Sequence, residues 1–132
     1  MNITKYVSDW FLRAEEDLRA VKILLQKEGS LNLACFHSQQ AAEKYLKGFL
    51  AYHEKHVRKI HDLSVLLEGC KSIDSSFAEI ESETNFLNQF YTESRYPDDY
   101  AEFGLEEAEK AHETALRVKN FVLKKIKPEE AI

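Results

Sequence analysis

Apolar residues recur at intervals of three and four from the start of the chain: Val7, Trp10, Phe11, Ala14, Leu18, Val21, Leu24 and Leu25. That period marks one face of a helix and predicts a first helix over about Thr4 to Glu28. Thr4 or Ser8 can cap it, and Gly29 can end it. Arg13, Glu15, Glu16, Arg19 and Lys22 fall on the other face. Ser30 opens a second pattern that runs to about Lys55. Its apolar set is Leu31, Ala34, Cys35, Ser38, Ala41, Ala42, Tyr45, Leu46, Phe49 and Leu50. At about 100° per residue this set spans roughly half the circumference, so the second helix touches neighbours on two sides.

A basic link, HEKHVRKIH, follows. A short helix fits DLSVLLEGCKSI with Asp62 as its cap. A fourth fits about Asp74 to Thr92, with Phe77, Ile80, Phe86, Leu87, Phe90 and Tyr91 as apolar positions. Pro97 disfavours helix at Tyr96, and Asp98 and Asp99 suit a turn. A last helix fits Leu105 to about Lys127, with Leu105, Ala108, Ala111, Ala115, Val118, Val122 and Ile126 inward. The sum is an all-α, up-and-down bundle of four long helices plus one short helix. Residues 1–132 read as one domain, ordered over about 4–127, with 128–132 a tail. Only four glycines and two prolines interrupt the chain, which fits long helices.

Composition narrows the function. Apolar residues make up 44% and charged residues 31%, enough for both a core and a solvated surface. The net charge of -5 argues against broad, non-specific nucleic-acid binding, which needs a basic face. A local basic patch remains compatible with it. Cys35 and Cys70 stand in no metal spacing and read as reduced thiols of a cytoplasmic protein. Neither a signal-peptide pattern nor a membrane-length apolar run is present in the sequence, so no membrane association is expected.

Three features carry candidate chemistry. His37, Gln40, Lys44 and Lys47 are spaced three, four and three, within roughly 80° on a helix. Such a stripe could hold a phosphate or a partner's acid. The plainer reading is a solvated face with Glu43–Lys47 as an ordinary pair. Gln39, at the edge of the apolar arc, needs partners for its amide if buried. His53, His56 and His61 cluster in the link, but their spacing does not fix a zinc site, and no metal or cofactor is expected. His61 reads as part of a helix start, and His112 as an exposed residue. Cys35, flanked by Ala34 and Phe36, reads as packing. The Gly-rich phosphate loop and the serine elbow are both missing from the sequence.

Two stretches, ACFHSQQAAEKYLKGFLAYH with IHDLSVLL and FYTESRYPDDY with EEAEKAHETA, follow an opening WFLRAEEDLRAVKILL. In this order they resemble the HEPN domain family, from about Trp10 to Val122. The resemblance implies a helical bundle, often a homodimer, and often the stand-alone partner of a small nucleotidyltransferase in prokaryotic toxin–antitoxin pairs. Other branches are metal-independent ribonucleases with an arginine, four to six residues, then a histidine. None of Arg13, Arg19, Arg58, Arg95 and Arg117 has a histidine at that spacing. Arg95 has Tyr100 there, and tyrosine, with a pKa of about 10, is a poorer proton shuttle than histidine.

Three functions follow as expectations. The first is a module that binds a nucleotide, RNA or a nucleotidyltransferase through His37, Gln40, Lys44, Lys47, Tyr91, Arg95, Tyr96 and Tyr100. Arg95 and the lysines would take phosphate, and the tyrosines would stack on a base. The second is a ribonuclease toxin, with Arg95 and Tyr100 as its catalytic pair and His37 as a further proton carrier. The third is a scaffold that only dimerises, through Tyr6, Trp10 and apolar helix faces.

Overall fold

The computed structural model describes residues 2–27, 29–91 and 102–126. Helix α1 (Lys5–Gln26) begins where the Thr4 hydroxyl accepts the Val7 N–H at 3.2 Å. Helix α2 (Leu31–Tyr52) begins in the same way, on Ser30 and the Leu33 N–H. Each cap satisfies one of the amides that a helix start leaves unbonded. Helix α3 (Leu63–Ile73) is capped by Asp62. The fourth helical pattern is formed in two pieces, a 3-10 turn (Ser75–Ile80) and helix α4 (Glu81–Asn88). Its α-helical part thus ends well before Pro97. Helix α5 (Leu105–Lys124) starts at Gly104 without a side-chain cap, and Glu106 and Glu107 face its positive end.

The architecture is the expected all-α bundle, with no strand among the described residues. Helix α2 is its centre and packs against α1, α5, α3 and α4. Tyr45, Phe49, Leu46, Ala41 and Ala42 are buried on it, against Leu18 and Val21 of α1, Val118 and Val122 of α5, and Phe77. This burial is the main term holding the bundle, at about 25 cal/mol per Å² of apolar surface. Leu105, expected inward, is instead exposed, because it sits at the first position of α5, beyond the end of the core. No helix among the described residues is long and apolar enough to cross a membrane.

The end of α2 fixes the course of the basic link. Glu54 adopts left-handed backbone, φ 58°, a conformation glycine usually supplies there. The N–H groups of Glu54 and Lys55 return to the carbonyls of Ala51 and Leu50. This closed turn reverses the chain and sends residues 55–62 back along the bundle.

Candidate functional site

Two carboxylates inside the bundle organise the polar residues of α2. Asp17 comes from α1, where it shares the inward arc with Ala14, Leu18 and Val21. Its carboxylate accepts Nδ1 of His37 at 2.8 Å and also the Lys44 ammonium. Glu43 comes from α2 itself and is 3% exposed. It accepts the Lys47 Nζ at 2.9 Å, Nδ1 of His61 at 3.0 Å and the Gln40 amide at 3.3 Å. Each buried acid therefore holds one lysine and one histidine. A buried charge needs such pairing, because the desolvation of an unpaired one is prohibitive.

Gln39 links these sets. It is fully buried, donates Nε2 to the His61 carbonyl at 3.0 Å, and accepts Gln40 Nε2 at 2.7 Å. Its amide thus finds the partners its position demanded. His61 is fixed at both backbone and ring by residues one turn apart on α2.

With the Glu43 carboxylate as acceptor, His61 Nδ1 carries the proton toward it, and among the described residues no hydrogen bond reaches Nε2. The ring stacks on Tyr91 at 4.5 Å and 14°. Tyr91 continues to Phe36 at 6.5 Å, and Phe36 to His37 at 5.4 Å. A row of four rings thus joins the two histidines. The groove beside it, about 510 Å³, is lined by Lys59, Ile60, His61, Asp62, Asn88 and Tyr91. Asn88 braces the floor, accepting the Leu63 N–H and donating to Asp62. Hydrogen bonds from Ser64 first, and also from Asn88, hold the Asp62 carboxyl below its usual range despite some burial.

The expected stripe is therefore divided. His37 and Lys44 meet on Asp17, while Gln40 and Lys47 meet on Glu43. The solvated Glu43–Lys47 face is corrected: both residues are buried, and Lys47 lies 5.6 Å from the Trp10 ring. Tyr91 takes its place in the groove wall. Arg95, Tyr96 and Tyr100 lie outside the described residues. His112 is half-buried rather than exposed, and burial, with Lys22 nearby, lowers its pKa. Burial pushes the Cys35 and Cys70 thiols up to about 11 and about 12, so both are packing groups.

Asp17 and Asn88 are absent from the sequence reading, and Glu43 and His61 enter it only as half of a surface pair and as part of a helix start. Asp17 carries a signal, an acid on an otherwise apolar arc, whereas Glu43 sits among Gln39, Gln40 and Lys47 and reads as part of a polar face. His61 carried no such signal, because its partners come from another element.

Comparison with known proteins agrees with this architecture. Residues 7–126 match the HEPN domain. The crystal structure of ST0689, an archaeal HEPN homologue, is 35% identical and covers 92% of this chain and 98% of its own, with a TM-score of 0.75. That of TT1696 from Thermus thermophilus is 27% identical and covers 96% and 100%, with a TM-score of 0.77. The chain matches no curated protein.

Proposed function

Since the chain belongs to the HEPN domain family, we propose that it is a nucleotide-binding helical module, the partner of a small nucleotidyltransferase in a toxin–antitoxin type of pair. The observation that carries this reading is the His61–Tyr91 stack at the groove wall. A flat aromatic pair is a platform for a base, and such stacking is worth about 1–3 kcal/mol per base. Glu43 holds the His61 ring in orientation, so little freedom is lost on binding. Lys59 supplies a cation on the same groove. Arg95, four residues beyond Tyr91 in the sequence, is the proposed phosphate ligand, with Tyr96 and Tyr100 beside it in sequence. His37 and Lys44 form the far end of the aromatic row. Gln40 and Lys47 act from within, by fixing Glu43 and through it His61. The working form in this reading is a homodimer.

Calorimetry with a panel of mono-, di- and trinucleotides tests it, on wild type, Tyr91→Ala and Arg95→Ala. Binding by wild type that both variants weaken is the expected result. If no nucleotide binds to wild type, the nucleotide reading is overturned. Co-purification with the product of an adjacent nucleotidyltransferase reading frame tests the partner reading.

One observation favours a second reading, RNA cleavage. His37 Nδ1 is held by the buried Asp17, the arrangement that orients a histidine for proton transfer through Nε2. In that reading Arg95 stabilises the phosphorane charge, and Tyr100 or His37 moves protons. Purified chain that leaves a mixed RNA substrate intact, with and without its genomic neighbour, overturns it.

A further inference from the structure

A second hollow, of about 490 Å³, lies on the other side of Ile60 from the Tyr91 groove, and Ile60 is the one lining residue they share. Its apolar wall is Leu50, Ile60, Val65 and Leu66, and Val65 is 40% exposed. Its edge carries Lys55, His56 and Arg58 from the basic link. Among the described residues, the side-chain charges of Lys55 and Arg58 are in no ion pair. The rim acid Glu68 is engaged by Lys71 at 3.2 Å. Among the described residues, an acidic protein thus presents a short arc of unpaired positive charge against an apolar wall.

Gly69 makes the hollow deeper. It lies inside α3, where glycine costs about 1 kcal/mol relative to alanine. Packing does not require it, because an added Cβ would meet only Leu50, at 3.5 and 3.8 Å, ordinary contact distances. What the missing side chain provides is room in the hollow that Gly69 lines.

We infer that this hollow binds a small, diffusible amphipathic anion, its apolar body against Leu50, Val65, Leu66 and Gly69 and its phosphate or carboxylate on Lys55 and Arg58. The volume lies in the range of small-molecule sites. The cations come from one turn of chain at one edge, so they clasp a single anionic head rather than track a charged polymer. The Schellman-type turn at Glu54 fixes where that edge stands relative to α3.

Amide NMR titration of the full chain tests this with four probes: hexyl phosphate, hexanoate, hexylammonium and inorganic phosphate. Hexyl phosphate and hexanoate are expected to shift the amides of Leu66, Gly69 and Ser72 saturably. Each should bind about tenfold or more tighter than hexylammonium, and hexyl phosphate should exceed inorganic phosphate by the same factor. Arg58→Glu should weaken both anions about tenfold, Gly69→Leu should abolish their binding, and Gly69→Ala, whose methyl takes less of the hollow, should weaken it by a smaller factor. Should Gly69→Leu fail to fold, Val65→Glu at the exposed edge takes its place, with the same loss expected. Equal binding of hexyl phosphate and inorganic phosphate overturns the inference, as does equal binding of hexylammonium. So do shifts centred on Tyr91 and Asn88, or affinity unchanged in Arg58→Glu.

Discussion

Lys47 reaches Glu43 one turn away on α2, Nζ to Oε2 at 2.9 Å, with both side chains about 95% buried. On the surface such a pair contributes a few tenths of a kcal/mol. Inside the bundle its two halves depend on each other. Lys47→Met should cost about 3–5 kcal/mol, because it leaves Glu43 with one charge partner fewer in a low-dielectric site. A Glu43→Leu/Lys47→Met double variant should recover much of that loss. Urea unfolding of the full cycle measures the coupling, and strictly additive losses would refute it.

Asp17 sets the ring state of His37. An acceptor at Nδ1 selects the Nδ1–H form, whereas a free imidazole favours Nε2–H. Wild type should therefore show the Nδ1–H form by long-range nitrogen NMR, and Asp17→Ala a shift toward Nε2–H. The same change strands Lys44 and should cost about 1–3 kcal/mol in stability. An unchanged ring state in the variant would disprove the assignment.

The two interior helix glycines should respond in opposite ways to alanine. At Gly48 a Cβ would lie 2.4 Å from the Phe11 ring, which is itself stacked on Tyr45. Gly48→Ala should destabilise by about 1–3 kcal/mol through overpacking, after the helix-propensity gain is outweighed. Gly69→Ala has room and should stabilise by up to about 1 kcal/mol. Thermal unfolding of both variants decides it; a matching sign would be the wrong one.

Acid should weaken the fold through His112. Its pKa is lowered from 6.5 in the folded chain, first by burial and then by Lys22, with Glu113 opposing. The unfolded chain therefore binds more protons in the window just below 6.5, and stability falls as pH drops through it. The urea midpoint should be lower at pH 5.5 than at pH 7.5, and His112→Gln should narrow that gap. A gap of full size in the variant would exclude His112 as its source.

The fold was legible because helix formation is local. Period, caps and breakers lie within a few residues of what they control, so Thr4, Ser30 and Asp62 could be read as caps directly. The half-circumference apolar arc of α2 announced a central helix for the same reason. The split of the fourth helix was not legible, because no residue between Phe77 and Glu81 breaks a helix on its own.

The site was legible only as residue types. Spacing placed His37, Gln40, Lys44 and Lys47 on one stripe, but their partners were set by packing. Asp17 lies 20 residues before His37, and His61 lies 18 after Glu43. Which acid each cation meets depends on how α1 and the returning link lie against α2. That packing turned a surface-looking stripe into two charge clusters, each built on a buried acid. The sequence by itself determined the helices, their order and the inventory of charged and aromatic side chains. The tertiary structure alone decided which of those charges lost their water and what had to replace it.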